Sequence, residues 1–279
     1  MPGYSKHRPL LKFYLMEVIL TLLVVMIARP QMGTKISKDK REGIEAMIAL
    51  DISNSMLAED VAPSRLERSK RLVEDLLNHF TNDKIGLVVF AGDAFVQLPI
   101  TADYISAKMF LDNISPSLIG SQGTDIAKAI ELSQHSFTQN SKFGKAIIII
   151  TDGENHEGGA EEMARKAQKA GIRVFILGIG STAGAPIPMD DGSYLQDKNG
   201  QTVMTKLNED MCRKVAEAGK GMYIHVDNTA AAEQMLDNEI AKMQHGEIES
   251  VSYSDYADQF PALAAIVLLL LIAEALLME

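Results

Sequence analysis

The sequence predicts an α/β fold: a doubly wound, mostly parallel sheet with one antiparallel edge strand, flanked by transmembrane helices. Three observations carry this. Short apolar runs alternate with amphipathic helical patterns between residues 44 and 244, as they do where crossover helices join parallel strands. One pair of runs, 83–91 and 94–100, is separated only by Gly92-Asp93, which makes a hairpin and hence an antiparallel pair. Both ends of the chain are strongly apolar.

The elements follow in order. Ile44 to Leu50 is a buried strand. Pro63 to Phe80 is an amphipathic helix with Leu66, Leu72, Val73, Leu76 and Leu77 on one face, and Pro63 stands near its first turn, where a missing N–H costs nothing. The hairpin strands come next, then helical patterns at 103–113 and 125–138. Lys145 to Thr151 is a second buried strand, followed by a helix over 159–170 and a strand over 172–179. A last strand, Gly221 to Val226, lies between helices at 208–218 and 229–244. Ile187 to Leu207 departs from the alternation. Its Asn199-Gly200 between strand-like arms signals a two-residue hairpin, and an ordinary solvated loop is the other reading.

The apolar ends predict membrane attachment. Phe260 to Met278 carries only Glu274 and is long enough to cross a bilayer as a helix. Val18 to Ala28 is a second apolar run, interrupted on its N-terminal side by Lys12 and Glu17. Ala28-Arg29-Pro30 is a poor cleavage site, so the run reads as an uncleaved anchor. Basic residues flank it on both sides (Lys6, Arg8, Lys12; Lys35, Lys38, Lys40, Arg41), so charge does not fix its orientation. The expected organisation is an N-terminal membrane segment (1–30), a linker (31–42), the α/β domain (43–245), a second linker (246–259) and a C-terminal transmembrane helix (260–279).

The 279 residues carry a formal net charge of −10. No basic stripe or aromatic–basic interleaving appears, so the composition does not point to nucleic acid. The single cysteine, Cys212, lies in a helical pattern, can form no internal disulfide, and reads as a small core residue.

The chemistry is concentrated where strands end. The first strand runs into Asp51-x-Ser53-x-Ser55, one carboxylate and two hydroxyls at alternate positions. Gly123-Thr124-Asp125 opens a helix, and the strand ending at Thr151 is followed by Asp152-Gly153. Asp51 and Asp152 thus stand at the carboxyl ends of two apolar strands, the edge where open α/β sheets bind ligands. An all-oxygen set of this kind suits a hard divalent cation such as Mg²⁺ or Mn²⁺. It is too poor in charge to close a full cage, so a protein partner donating a Glu or Asp is expected to complete it.

In these residues the chain resembles the von Willebrand factor A (VWA) family over about residues 43–245. The metal-ion-dependent adhesion site of that family reads Asp-x-Ser-x-Ser, a later Thr and a later Asp-Gly, here Asp51, Ser53, Ser55, Thr124 and Asp152. The resemblance implies that the hydroxyls bind directly and that the carboxylates often act through water. Ala28-Arg29-Pro30-Gln31, Ser55 to Val61, Arg65-Leu-Glu-Arg68 and the hairpin-like insert further resemble the membrane-bound bacterial proteins of the Bat aerotolerance type. That likeness implies an inner-membrane protein with a periplasmic VWA domain. It implies as partners other Bat-type VWA proteins, tetratricopeptide-repeat proteins and a MoxR-type AAA+ ATPase.

Two other functions stay open. A haloacid-dehalogenase-like phosphatase also places an Asp after the first strand and binds Mg²⁺, but its acid/base carboxylate two residues on is replaced here by Ser53. A membrane scaffold with a vestigial metal site is the third reading.

Overall fold

The apolar runs fold as strands buried on both faces. A computed structural model describes residues 8–27, 36–80, 83–139, 143–155, 157–189, 191–227, 229–243, 246–253 and 260–276. Its elements are α1 (Arg8–Ile27), β1 (Ile36–Asp51), α2 (Arg65–His79), β2 (Lys84–Phe90), β3 (Ala94–Thr101), α3 (Tyr104–Asp112), α4 (Ile126–His135), β4 (Gly144–Thr151), α5 (Ala160–Lys169), β5 (Ile172–Gly178), β6 (Ala185–Pro186), β7 (Met204–Thr205), α6 (Glu209–Ala218), β8 (Lys220–His225), α7 (Thr229–Ile240), β9 (Gly246–Tyr253) and α8 (Phe260–Leu276). Residues 41–248 form one compact unit; residues 1–40 and 249–279 form another.

In the larger unit the strand order is β3-β2-β1-β4-β5-β8. All neighbours are parallel except β2 and β3, which form the expected antiparallel edge. The chain moves from β1 to one side of the sheet, then returns to β4 on the other, so the order reverses between β1 and β4. Side chains alternate across the sheet. Ile44, Ala46, Ile48 and Leu50 of β1 pack with α2, α3 and α7, whereas Met47 and Ala49 pack with α4, α5 and α6. Burial on both faces explains why the strands read as continuous apolar runs. Each fully buried Leu or Ile contributes about 1.5–3 kcal/mol.

Helix starts are fixed by capping. Ser64 accepts the Glu67 N–H at 3.2 Å, and Asp125 accepts the Lys128 N–H at 3.0 Å, each satisfying a donor that the first turn leaves free. The segment after β5 turns at Asn199-Gly200, but through a three-residue connection rather than the expected two-residue one: Asp197 N–H donates to Gln201 O at 2.8 Å across Lys198, Asn199 and Gly200, and only Gly200, at φ +77°, takes the left-handed conformation. A further turn leads into Ser193, whose carbonyl accepts the Met189 N–H at 2.8 Å, so 185–189, 194–196 and 202–205 pair as a small three-segment β arm.

The ends differ from expectation in two respects. The stretches read as linkers contain strands: β1 begins at Ile36 and β9 pairs with it. Among the described residues no helix is long and apolar enough to cross a membrane, so the flanking transmembrane helices find no support in the fold. α8 has 17 residues, about 25 Å at 1.5 Å per residue, against a hydrocarbon core of about 30 Å. α1 has 20 residues but includes Arg8, Lys12 and Glu17. Residues 1–7, 28–35, 254–259 and 277–279 of the expected membrane segments and linkers lie outside the described residues.

Candidate metal centre

β1 and β4 run side by side, and Thr151 donates its hydroxyl to Asp51 Oδ2 at 2.6 Å. That bond spans the switch point. Ser53 N–H donates to Asp51 Oδ1 at 2.9 Å, turning the chain so that the Ser53 and Ser55 hydroxyls lie 3.0 Å apart. Asp125 N–H bonds to Ala91 O at 2.8 Å, and Ile52 N–H bonds to Phe90 O at 2.8 Å. These two bonds hold the start of α4, and hence Thr124, at the same sheet edge as Ser53. Asp152 follows β4 directly. All five expected residues therefore stand at one carboxyl edge, and all are buried.

Gly153 makes the turn after Asp152 possible. Its φ is +75°, and a Cβ there would stand 2.6 Å from Cys212 Sγ and 2.8 Å from Asn208 O. Only glycine fits that backbone. Cys212 is fully buried, and burial, with the charge of Asp152, pushes its thiol up to about 12. It is packing, as its helical pattern predicts.

The electrostatics are unbalanced without a cation. Burial, reinforced by the charge of Asp152, pushes the Asp51 carboxyl up to about 7, against the bonds from Thr151 and Ser53. The Thr124 hydroxyl oxygen is buried with no hydrogen-bond partner in the protein. A buried polar atom without a partner costs free energy and calls for an explanation. Oxygen-only donors, two buried carboxylates and an orphaned hydroxyl fit a hard divalent cation.

Six contributors have no role in the site that their sequence pattern shows: Arg65, Thr205, Asp60, Ser181, Gly180 and Glu154. Arg65 opens an amphipathic surface helix, yet its side chain is fully buried. Its Nη1 donates to Asp152 Oδ2 at 2.8 Å and to Thr205 Oγ1 at 3.0 Å. Its Nε and Nη2 donate to the two oxygens of Asp60, both at 2.8 Å, and Nη2 also reaches Thr205 O at 3.3 Å. Asp60 in turn accepts the Ser181 N–H at 2.7 Å. Burial disfavours the Asp60 carboxylate, but the bonds from Arg65 and Ser181 outweigh it and hold its pKa below the ordinary value. Gly180 makes room for this group: at φ +119°, a Cβ would lie 2.6 Å from Arg65 Nε. Glu154 N–H donates to the other Asp152 oxygen at 3.1 Å. The available sequence signal was Asp60 five residues before a charged residue at a helix start, which by itself reads as solvated surface.

Sheet order, switch point and site together define a VWA domain. The family model of the von Willebrand factor type A domain matches residues 46–154. Two solved structures cover 72% of this chain. One, an aerotolerance-related membrane protein from Bacteroides fragilis NCTC 9343, is 56% identical with a TM-score of 0.71 over 100% of that chain. The other, BatB from Bacteroides thetaiotaomicron, is 57% identical with a TM-score of 0.70 over 98% of that chain. The chain belongs to the VWA family, in its Bat, aerotolerance-related branch. An uncharacterized protein of Borreliella burgdorferi is 31% identical over 58% of this chain, which spans only 48% of that relative's length. At the level of fold, proximal thread matrix protein 1 of the mussel byssus matches 73% of this chain and 47% of its own, with 17% identity and a TM-score of 0.54. Its metal-ion-dependent adhesion site is occupied by zinc.

Proposed function

We propose that the protein is a membrane-attached, non-enzymatic interaction module that binds a protein partner through a divalent cation, Mg²⁺ or Mn²⁺, at Asp51, Ser53, Ser55, Thr124 and Asp152. The observation that carries this is the Thr124 hydroxyl, buried without a partner beside two buried carboxylates. When bound, the cation supplies an electrophilic position that an acidic side chain of a partner can take. Ser53, Ser55 and Thr124 offer neutral oxygens, while Asp51 and Asp152 balance charge with oxygens that already accept hydrogen bonds. Glu59 is exposed, as are Gly120 to Gln122 and Glu157 to Gly158. These positions form the rim a partner meets.

The phosphatase reading lacks its acid/base group. Position 53 is a serine whose hydroxyl bonds to Ser55, and Asp152 is tied to Arg65. Membrane attachment rests on the apolar faces of α1 and α8, where Leu20, Ile27, Leu269 and Leu276 are exposed. It also draws support from the Bacteroides fragilis relative, described as a membrane protein. The Bat likeness supports reading the protein as an inner-membrane one, and we place its domain in the periplasm as part of this proposal. The partner classes proposed are other Bat-type VWA proteins, tetratricopeptide-repeat proteins and a MoxR-type AAA+ ATPase.

The test is a pull-down with each of these candidates, with Mg²⁺ or with EDTA, using wild type and Asp51→Ala. Capture is expected only for wild type with Mg²⁺. Capture that survives both EDTA and Asp51→Ala refutes the metal bridge.

A further inference from the structure

The five N–H groups of Arg65 are all used, two on Asp60, one on Asp152 and two on Thr205. This is a built site for one cationic side chain in the wall of the cup. We propose that Arg65 is an internal counter-charge that weakens the cup's own hold on a divalent cation, leaving a partner's carboxylate to complete it. The inference rests on the reading of the cup as a cation site. With Arg65 in place, the ionised charges of Asp51, Asp60 and Asp152 sum to −2; without it they sum to −3. An ion held by Ser53, Ser55 and Thr124 in that surrounding keeps more of its positive charge. By linkage, metal and partner acid then strengthen each other's binding by one common factor.

Arg65 also positions Asp152, so a purely structural role must be separated from a charge role. The two halves of the pair do this. Removing the arginine charge and removing the carboxylate that offsets it change the cup's potential in opposite directions, whereas both changes loosen the same brace. The experiment is calorimetric titration of the full chain with Mn²⁺ alone, using wild type, Arg65→Gln and Asp60→Asn. Arg65→Gln is expected to bind Mn²⁺ at least about tenfold more tightly, the order expected for one unit charge several ångströms from a divalent ion even with water-like screening. Asp60→Asn is expected to bind about threefold or more weakly, by the same Coulomb argument.

Weakening by both substitutions overturns the proposal and leaves Arg65 a brace. If Arg65→Gln fails to fold, Asp60→Asn is compared with Asp60→Glu: both loosen the brace but only Asn removes the charge, so equal weakening by the two overturns the proposal and weakening confined to Asn supports it. Asp60 lies near the surface and keeps its shape as Asn, and unchanged or tighter binding by that variant overturns the proposal. If wild type binds no Mn²⁺, the cation reading itself falls; binding by wild type with the wrong signs in the variants removes only the role of Arg65.

Discussion

Thr124→Val removes one oxygen and keeps the side chain's shape. In the protein without metal, that oxygen is buried and has no partner, and the residue is 1% exposed. An unsatisfied buried hydroxyl costs about 1–3 kcal/mol, so in EDTA the variant is expected to be more stable than wild type by that amount. For a domain of this size, about 2–4 °C of Tm corresponds to each kcal/mol. The expected rise is therefore about 2–12 °C. Metal shifts the balance back toward wild type. At a concentration of about 100 times Kd, binding stabilises the folded state by about 2.7 kcal/mol. Losing a directly bound ligand should weaken affinity by at least the 10–100-fold typical of outer contacts. A 100-fold loss at the same concentration leaves about 0.4 kcal/mol. The metal-induced rise in Tm should thus shrink from about 5–11 °C in wild type to about 1 °C in the variant. Thermal unfolding of both proteins, in EDTA and in Mg²⁺, measures all four values. A variant less stable than wild type in EDTA, or one that keeps the full metal-induced rise, refutes the reasoning.

Two further outcomes follow from the same structure. Because burial and Asp152 raise the Asp51 carboxyl to about 7, its favourable contribution is complete below its ordinary value of 3.8 and is lost as the pH rises through about 7. In EDTA, Tm should therefore fall between pH 5 and pH 8. The cation needs the carboxylate, so the metal-induced rise should grow over that window; equal rises at pH 5 and pH 8 contradict the assignment. Separately, the full chain should remain in the membrane fraction after alkaline carbonate treatment, and its release without detergent counts against membrane attachment.

Much of this protein is written locally. Ile44 to Leu50 and Ala146 to Ile150 are apolar at every position because helices cover both faces of the sheet, so the strands are visible without knowing their neighbours. Asp51-x-Ser53-x-Ser55 and Asp152-Gly153 are visible because they follow those strands directly, and Gly92-Asp93 marks the antiparallel edge. The sequence alone determined the alternation and the antiparallel edge, and set five oxygen-bearing residues at the ends of strands or the start of a helix; the strand order, and with it the reversal between β1 and β4, came from the tertiary structure. Arg65 is different. Its partners are 87 residues away at Asp152 and 140 residues away at Thr205, and no period or spacing encodes either distance. At the start of an amphipathic helix, a charged residue satisfies the local pattern whether it meets solvent or a buried carboxylate. The tertiary structure decided between these, because closing the sheet brings the ends of β1, β4 and β5 and the base of the β arm to one edge, where Gly180 leaves space for a guanidinium. It likewise decided the fate of residues 36–43. Their polar composition reads as linker, but they open β1, the strand with which β9 pairs, and a strand formed by main-chain pairing needs no apolar pattern of its own.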